Sequence, residues 1–413
     1  MTEQAKVPAI RFAGFTDPWE QRKLGDIAER VTRKNENNES DLPLTISAQH
    51  GLIDQRLFFN AQVASRDMSG YYLLRQGEFA YNKSTSADSP WGAIKRLTRY
   101  EKGCVSTLYI CFALLNANPD YLVTYYETNR WHKAVQMIAA EGARNHGLLN
   151  IAPDDFFDTM VSLPESQAEQ QTIGAFFSRL DSLITLHQRK YDKLVIFKKS
   201  MLEKMFPKDG ESVPEIRFAG FTDPWEQRKL ENLASFGGGH TPPMADAGNY
   251  VDGKILWITS QDVKQHYIEN TTTMISEKGA ATLTLYPSDS IVIVARSGIL
   301  RHTIPVAKLR KPATVNQDIK VIQTVDSCDS SWLLQYFIAS NKTLLREYGK
   351  TGTTVESIDF AKMKSTALMV PYIEEQQAIG SFFSRLDDLI TLHQRKLELL
   401  QNIKKSLLDK MFV

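Results

Sequence analysis

The sequence predicts an α+β protein built from two tandem copies of one unit, each with a globular domain followed by a long helix. The stretch VPAIRFAGFTDPWEQRKL begins at Val7 and returns at Val213 with 17 of 18 letters unchanged. A 38-residue block that begins at Glu169 returns at Glu375 with 27 identical positions. Both matches are offset by 206 residues, and the segments between them diverge. A constant frame therefore encloses two different domains.

The two 38-residue blocks predict two long helices. Each block has no proline and a single glycine near its start, and its apolar residues step by three and four. The apolar seams are heptad-like, so we expect the helices to pair as an antiparallel coiled coil related by a pseudo two-fold axis. His187 and His393 interrupt the seams at equivalent places, as do Lys198 and Lys404. We interpret these four as residues that set the register of the pair rather than as titrating switches.

The frame also sets the expected domain boundaries. The stretch PKDGESVPE after Phe206 combines proline, glycine, aspartate and serine, a composition typical of a linker. The predicted order is a first globular domain at 1–165, a first long spacer helix at 166–206, a linker at 207–215, a second globular domain at 216–371 and a second long spacer helix at 372–413.

Each globular domain is expected to combine short strands with one or two helices. The runs GEFAYNK and VSTLYICFALL predict strands in the first domain, and DSIVIVARSG and QDIKVIQTV predict strands in the second. PDYLVTYYETNRWHKAVQMIAA and SSWLLQYFIASNKTLLREYG predict the helix that follows. The repeated DPWE leaves two possibilities open: a helix that begins at Asp17 and Asp223, or a short strand around Trp19 and Trp225.

The composition is that of an ordinary globular protein, with 413 residues, 42% hydrophobic residues, 23% charged residues and a net charge of +1. Apolar runs such as IVIVA from Ile291 are too short for a signal peptide or a membrane span. Cys104, Cys111 and Cys328 lack close CxxC spacing, which argues against disulfides and a cysteine zinc site. We therefore expect a soluble, cytoplasmic protein. Nucleic-acid binding would have to depend on local basic clusters, such as the one at 95–102.

No motif for catalysis is present. EYGKTGTT lacks the first glycine of a phosphate-binding loop, and GGGHTPP lacks the spacing of a dinucleotide-binding loop. The eight histidines form no HxxxH-type pair, and no serine has the context of a nucleophile elbow. We therefore predict no catalytic residues, no metal site and no cofactor in this chain.

Several strings in a fixed order resemble the specificity subunits of type I restriction-modification systems. Both long helices are entered through a proline and then EQQ, at Glu169 and Glu375. The second domain opens with GGGHTPP and ILWITSQDV and continues with VNQDIKVI. GLLNI in the first domain has a positional partner, VESI, in the second. The resemblance covers nearly the whole chain and depends on the order and the doubling of these strings.

This resemblance implies that the globular domains are two target-recognition domains, each of which reads one half of a split, asymmetric site in double-stranded DNA. Two methyltransferase subunits and two restriction/translocase subunits would assemble around one non-catalytic chain. S-adenosylmethionine, ATP and magnesium would belong to those partners. Two copies of one methyltransferase need two like docking surfaces, whereas two half-sites need two different reading surfaces.

Polar and basic loop residues between the strands are the candidates for DNA contact, because such side chains read base edges. In the first domain the candidates are Gln49, His50, Asn82, Lys83, Ser84, Arg144, Asn145 and His146. In the second domain they are Ser260, Gln261, Arg296, Ser297, Arg301, His302, Lys350, Thr351 and Thr353.

Two other functions remain open at this point. A self-sufficient DNA-modifying enzyme, either a nuclease or a methyltransferase, would turn over alone with a metal or a methyl donor. A bivalent protein scaffold would have no affinity for DNA even with its partners. The sequence does not give the DNA target, because readout depends on which loop side chains reach base edges.

Overall fold

The computed structural model describes residues 7–47, 51–59, 64–86, 89–139, 147–208, 210–352 and 355–413. The chain divides into two compact units. Unit 1 comprises Met1–Gln188 together with Arg395–Val413, and unit 2 comprises Arg189–Gln394. Unit 1 is therefore discontinuous in sequence, and its two parts are separated by the whole of unit 2.

The first globular domain contains ten strands and five short helices among its described residues, and a long helix follows it. The strands are β1 (Trp19–Lys23), β2 (Ala28–Arg30), β3 (Leu44–Ser47), β4 (Gly51–Asp54), β5 (Tyr72–Arg75), β6 (Phe79–Asn82), β7 (Ala93–Arg96), β8 (Lys102–Val105), β9 (Ile110–Leu114) and β10 (Met160–Pro164). The helices are α1 (Leu24–Ile27), α2 (Gln55–Phe59), α3 (Pro119–Tyr125), α4 (His132–Ile138), α5 (Pro153–Phe157) and the long α6 (Gln167–Lys204).

An antiparallel sheet of four strands, in the order β2-β9-β6-β7, forms the centre of this domain. The strand pairs β1–β10, β3–β4 and β5–β8 lie outside it. Aromatic side chains fill the core: Phe79 stacks on Phe112 across β6 and β9, and Tyr81 stacks on Phe156 of α5. All four are buried, as expected for large apolar side chains that dominate core energetics.

A strand begins within each repeated DPWE stretch, at Trp19 and at Glu226, so the strand is right and the helix at Asp17 and Asp223 is wrong. In the first domain, β1 pairs antiparallel with β10, and Trp19 lies opposite Pro164 and is buried. The pairing satisfies the backbone hydrogen-bonding groups of β1 and also places the indole of Trp19 in the core. A helix that begins at the surface would not place the indole there. Trp225 is likewise buried beside the next strand.

The second globular domain contains twelve strands, four short α-helices and three 3₁₀ helices among its described residues, and its own long helix follows. The strands are β11 (Glu226–Lys229), β12 (Ala234–Gly238), β13 (Ile255–Ile258), β14 (Tyr267–Ile268), β15 (Met274–Ile275), β16 (Ile291–Val294), β17 (Val306–Leu309), β18 (Ala313–Val315), β19 (Ile319–Thr324), β20 (Gly349–Lys350), β21 (Ser357–Ile358) and β22 (Ala367–Val370). The helices are α7 (Glu277–Ala280), α8 (Ser330–Ala339), α9 (Asn341–Tyr348), α10 (Phe360–Lys364) and the long α11 (Ile373–Lys410).

Two sheets organise this domain. A sheet of five strands has the order β12-β19-β16-β17-β14, and a sheet of three strands has the order β15-β13-β18, in which β13 and β18 are parallel. β16 reads IVIV and is buried along its whole length, because it lies in the middle of the larger sheet with both faces covered. The chain passes between the two sheets several times, and one of these connections is a turn of three residues from β18 into β19.

Unit 1 combines the first part of α6 with the last part of α11. Phe177 packs against Phe412 with ring centroids 6.1 Å apart, and Lys404 Nζ donates to Asp181 Oδ1 at 2.5 Å. From Phe177 to Asp181 the residue number rises along α6, while the number of the contacting residue falls from 412 to 404. The two segments therefore run in opposite directions. Each globular domain thus packs against a helix of its own repeat and against the end of the other repeat's helix.

Unit 2 contains the same contacts at positions 206 residues away. Phe383 packs against Phe206 with centroids 6.3 Å apart. Lys198 Nζ donates to Asp387 Oδ1 at 2.6 Å, and both side chains are buried. The two lysines that interrupt the apolar seams therefore each meet an aspartate on the other helix.

The repeated RFAGF stretch clamps the start of each long helix. The guanidinium of Arg11 donates two hydrogen bonds to the carboxylate of Glu169, at 2.6 and 2.7 Å. Arg217 makes the same bidentate contact with Glu375 at 2.8 and 2.7 Å. Both glutamates are buried, and in each clamp the hydrogen bond to the carboxylate raises the pKa of the arginine. Across the described residues, no helix combines the length and the apolar character that a membrane crossing requires.

Candidate nucleic-acid interface

Loops from several strands of unit 2 converge on one edge of its sheets. Gly238 at the end of β12 lies opposite Lys320 near the start of β19, and Val294 at the end of β16 lies opposite Ile319. β17 begins opposite the end of β16 as well. The parallel strands β13 and β18 end together at this edge, where Asn316 N donates to the carbonyl of the last β13 residue at 2.9 Å. The loops at 239–241, 259–262, 295–305 and 316–318 therefore lie side by side.

The eight second-domain candidates within the described residues belong to this edge or to the strands paired with it. Ser260 and Gln261 follow β13, and four more lie between β16 and β17. A short ladder adds the rest, because Arg296 bridges to Ser357 and Ser357 pairs in turn with Lys350. The candidates on this edge or its paired strands are Ser260, Gln261, Arg296, Ser297, Arg301, His302, Lys350 and Thr351.

The basic side chains of this edge differ in their freedom to bind an anion. Arg301 Nε donates to Glu356 Oε1 at 2.5 Å, and this hydrogen bond holds the pKa of the Glu356 carboxyl below its usual value. Lys350 forms a 2.8 Å ion pair with Asp359. Arg296 is exposed and has no ion-pair partner among the described residues. Of Arg296, Arg301 and Lys350, Arg296 is thus the cation most available to a nucleic acid.

Replacing Arg296 by alanine is expected to weaken DNA binding by about 1–3 kcal/mol and to leave thermal stability unchanged, because its side chain has no structural partner. Arg301→Ala should instead lower both DNA affinity and the unfolding temperature, since it removes the partner of a buried carboxylate. Fluorescence anisotropy at several salt concentrations, on the chain together with the methyltransferase subunit that the resemblance implies, measures affinity, and calorimetry measures stability. Unchanged affinity in Arg296→Ala at all salt concentrations would remove this residue from the interface.

The first domain has the same construction at the end of β6. Asn82 Oδ1 accepts a hydrogen bond from Ser84 N at 3.0 Å, and Ser84 bridges to Leu148. This bridge corresponds to the one between positions 296 and 357 in the second domain. Lys83 differs from Arg296, because its ammonium donates to the carbonyl of Ile151 at 3.2 Å and burial lowers its pKa. Asn82 and Ser84 present polar groups there, whereas Lys83 supports the loop.

Five first-domain candidates and one second-domain candidate lie outside the described residues. They are Gln49, His50, Arg144, Asn145, His146 and Thr353.

A polar cluster that the sequence reasoning missed also lies at the unit 2 edge. Thr241 Oγ1 donates to Gln317 Oε1 at 2.7 Å, and His240 Nε2 and Thr282 Oγ1 are 2.9 Å apart. The close approach requires Gly239, because a Cβ there would lie 1.8 Å from the carbonyl oxygen of Val315. The glycines of GGGHTPP were the available signal, since they mark a place where two backbone segments meet.

The basic cluster at 95–102 is mostly committed to internal ion pairs. Lys95 lies 3.7 Å from Glu127, and Arg96 Nη2 lies 2.5 Å from Asp120. These pairs join β7 to the first turn of α3 and to the residues just after its end, so the charges stabilise the domain and leave little net charge for a polyanion. No cluster of three or more histidine, cysteine, aspartate or glutamate side chains that could hold a metal ion occurs in the part of the chain that the structure describes.

Comparison with known proteins identifies relatives of this chain. Residues 222–402 match the model of the type I restriction modification DNA specificity domain. A type I restriction enzyme specificity subunit of Escherichia coli is 31% identical over 166 residues, an alignment that spans 40% of this chain and only 41% of that protein. A putative type I restriction enzyme specificity subunit of Methanocaldococcus jannaschii is 22% identical over 410 residues, which covers 95% of this chain and 92% of that protein.

One solved structure supports the fold along the whole chain. The type I restriction-modification system S subunit from M. genitalium matches with a TM-score of 0.60 and 12% identity, and the match covers 99% of both chains. The mixed helix and strand content is therefore shared with a specificity subunit of known structure. The named relatives are specificity subunits, which confirms the prediction of a non-catalytic component. The predicted resemblance is confirmed as well: this chain is similar to the specificity subunits of type I restriction-modification systems, and residues 222–402 match the model of their DNA specificity domain.

Proposed function

We propose that this chain recognises a bipartite, asymmetric site in double-stranded DNA within a type I restriction-modification complex. Each globular domain reads one half-site with the polar loops at its sheet edge. The two long helices form an antiparallel coiled-coil spacer with pseudo two-fold symmetry and hold the target-recognition domains apart. Two methyltransferase subunits dock on the repeated frame, and two restriction/translocase subunits complete the assembly.

The observation that carries this proposal is that both domains have the same backbone arrangement at this edge but present different side chains there. The end of β6 and the end of β16 both continue into a bridged loop, with Ser84 against Leu148 and Arg296 against Ser357. The surrounding loops differ in length and in residue type. Two similar backbone arrangements that present different polar groups suit two different half-sites. The side chains that contact base edges determine the sequence that is recognised, whereas the shared backbone only positions them.

Repeated apolar residues on the long helices support the docking of two like partners. Leu183 and Leu389 occupy equivalent positions and are 47% and 46% exposed. Leu186 and Leu392 are 46% and 44% exposed. Large apolar side chains that stay exposed at matching positions of both repeats suit one partner surface that is used twice.

The chemistry of modification and cleavage is assigned to the partners. S-adenosylmethionine would be bound by the methyltransferase subunits, and ATP and magnesium by the restriction/translocase subunits. The contribution of this chain is to bind and orient the DNA, so that those subunits act at the chosen site.

Exchanging residues 26–160 for the equivalent segment of a relative tests the proposal. One half of the recognised sequence should change and the other half should stay the same, because each domain has its own core and its own loop edge. Methylation mapping of the whole genome by long-read sequencing gives both half-sites in one experiment. The matched control exchanges the second domain and should alter the opposite half. A change in both halves after a single exchange would contradict independent reading, and no sequence-specific methylation by the parental complex would contradict the proposed function itself.

A further inference from the structure

We propose that Lys199 and Lys405, twin residues of the two long helices, bind DNA phosphates, one in each unit. The proposal rests on the proposed function and extends it, because it assigns a DNA contact to the repeated frame as well as to the variable loops. The two lysines are 206 residues apart, and both are exposed. Each lines a groove between its helix and the globular domain of its unit.

In unit 2 the groove has a volume of about 690 Å³ and a cationic lining. Lys199 enters it from α6, Lys264 from the loop after β13 and Lys342 from α9. Glu203 is the single acidic residue among the described residues that line it. None of the three lysines has an ion-pair partner among the described residues. Three unpaired ammonium groups from three elements thus face one concave surface.

In unit 1 the corresponding groove has a volume of about 660 Å³, and its acidic groups are already paired. Glu127 lies 2.7 Å from Lys404 Nζ, and Asp409 lies 3.7 Å from Arg130. Lys405 has no such partner among the described residues. Lys405, the residue that corresponds to Lys199, is therefore the lining residue whose charge is not compensated by an ion pair.

The ligand follows from the position and from the repeat. The unit 2 groove is also lined by Ser260, Gln261, Ser297 and His302, so the lysines share one surface with the loops proposed to read bases. The bases differ between two half-sites, whereas the phosphate backbone is the same in both. A cation that is identical in both repeats suits the part of the ligand that is identical in both half-sites. A point charge on a flexible stem also suits a phosphate better than a base edge.

The test uses Lys199→Gln, Lys405→Gln and the double variant in the full chain with its methyltransferase subunits, bound to duplexes that contain or lack the recognised site. Each single variant should reduce the dependence of log K on log salt by about 0.9, and the double variant by about 1.8. The loss of affinity should be roughly fivefold per lysine at 0.15 M salt, equal for both duplexes, and the recognised sequence should stay the same.

Lys190→Gln and Lys396→Gln serve as the matched control, because they are also exposed twin lysines of the same helices but lie outside both grooves. An equal loss in this control would reduce the effect to general charge, and an unchanged salt slope in the groove variants would overturn the proposal. Weaker binding of the methyltransferase without DNA, together with normal DNA binding, would overturn it in favour of a protein partner. If the parental complex binds no DNA, the proposed function fails instead.

Discussion

Replacing Phe412 by alanine is expected to lower the free energy of unfolding of unit 1 by about 3–5 kcal/mol, the range for a buried phenylalanine. The ring is 2% exposed and lies against Trp19 at 5.9 Å and Tyr121 at 5.6 Å, measured between centroids. It also contacts Phe177 of α6. The cavity left by the substitution would lie in the middle of an aromatic cluster that cannot collapse without moving three rings.

Hydrogen exchange followed by mass spectrometry resolves this effect, because it reports protection in each unit separately. Phe412→Ala should speed exchange in β1 and α3 and leave β16 and β19 protected. Phe206→Ala is the matched control: its ring contacts Trp225 and Trp332 in unit 2 and should produce the reverse pattern. Equal loss of protection in both units after either substitution would contradict the assignment of each ring to one core.

Asp387→Ala is expected to destabilise unit 2 by about 3–5 kcal/mol, because it leaves a buried ammonium group without a partner. Lys198 and Asp387 have side-chain exposures of 9% and 11%, and Gln335 Nε2 donates to the other carboxylate oxygen at 3.3 Å. The double substitution Lys198→Met with Asp387→Leu should recover most of the loss, since replacing both members of a buried ion pair by apolar groups is often neutral or stabilising. Chemical denaturation of the single and double variants gives both values.

The equivalent substitution in unit 1, Asp181→Ala, should cost less. Lys404 keeps a second carboxylate, Glu127, at 2.7 Å, and the Asp181 side chain is 41% exposed. Similar losses for the two aspartates would mean that local packing, and not the stranded charge, determines the effect.

The frame could be predicted from the sequence because its signals are local or repeated. The helices expected from Glu169 and Glu375 begin at Gln167 and Ile373, within two residues. The runs GEFAYNK and DSIVIVARSG contain β6 and β16, as β-branched and aromatic residues favour. Each of these signals lies within one short window, so no long-range contact was needed to read it.

Features that depend on contacts between side chains distant in sequence could not be predicted from the sequence. The single helix expected in each domain is two. In the first domain the chain turns between α3 and α4, where Thr128 Oγ1 donates to the carbonyl of Tyr125, and in the second domain α8 and α9 are separated at Ser340. The basic residues at 95–102 are visible in the sequence as a cluster, but their carboxylate partners are distant in sequence. The cluster alone therefore suggested a site for a polyanion. Thr241 meets Gln317 across 76 residues, a pairing that no periodicity announces.

The discontinuity of unit 1 has a consequence for synthesis on the ribosome. Unit 2, residues 189–394, is contiguous, so it can close its core soon after it is made. Unit 1 is begun first yet needs Met411 and Phe412, which follow unit 2 in the chain. At about 5–20 residues per second, translation of the intervening segment takes roughly 10–40 s. During that interval the aromatic surface around Trp19 and Phe177 is not yet covered by the end of α11, so the domain translated first is the one that finishes folding last.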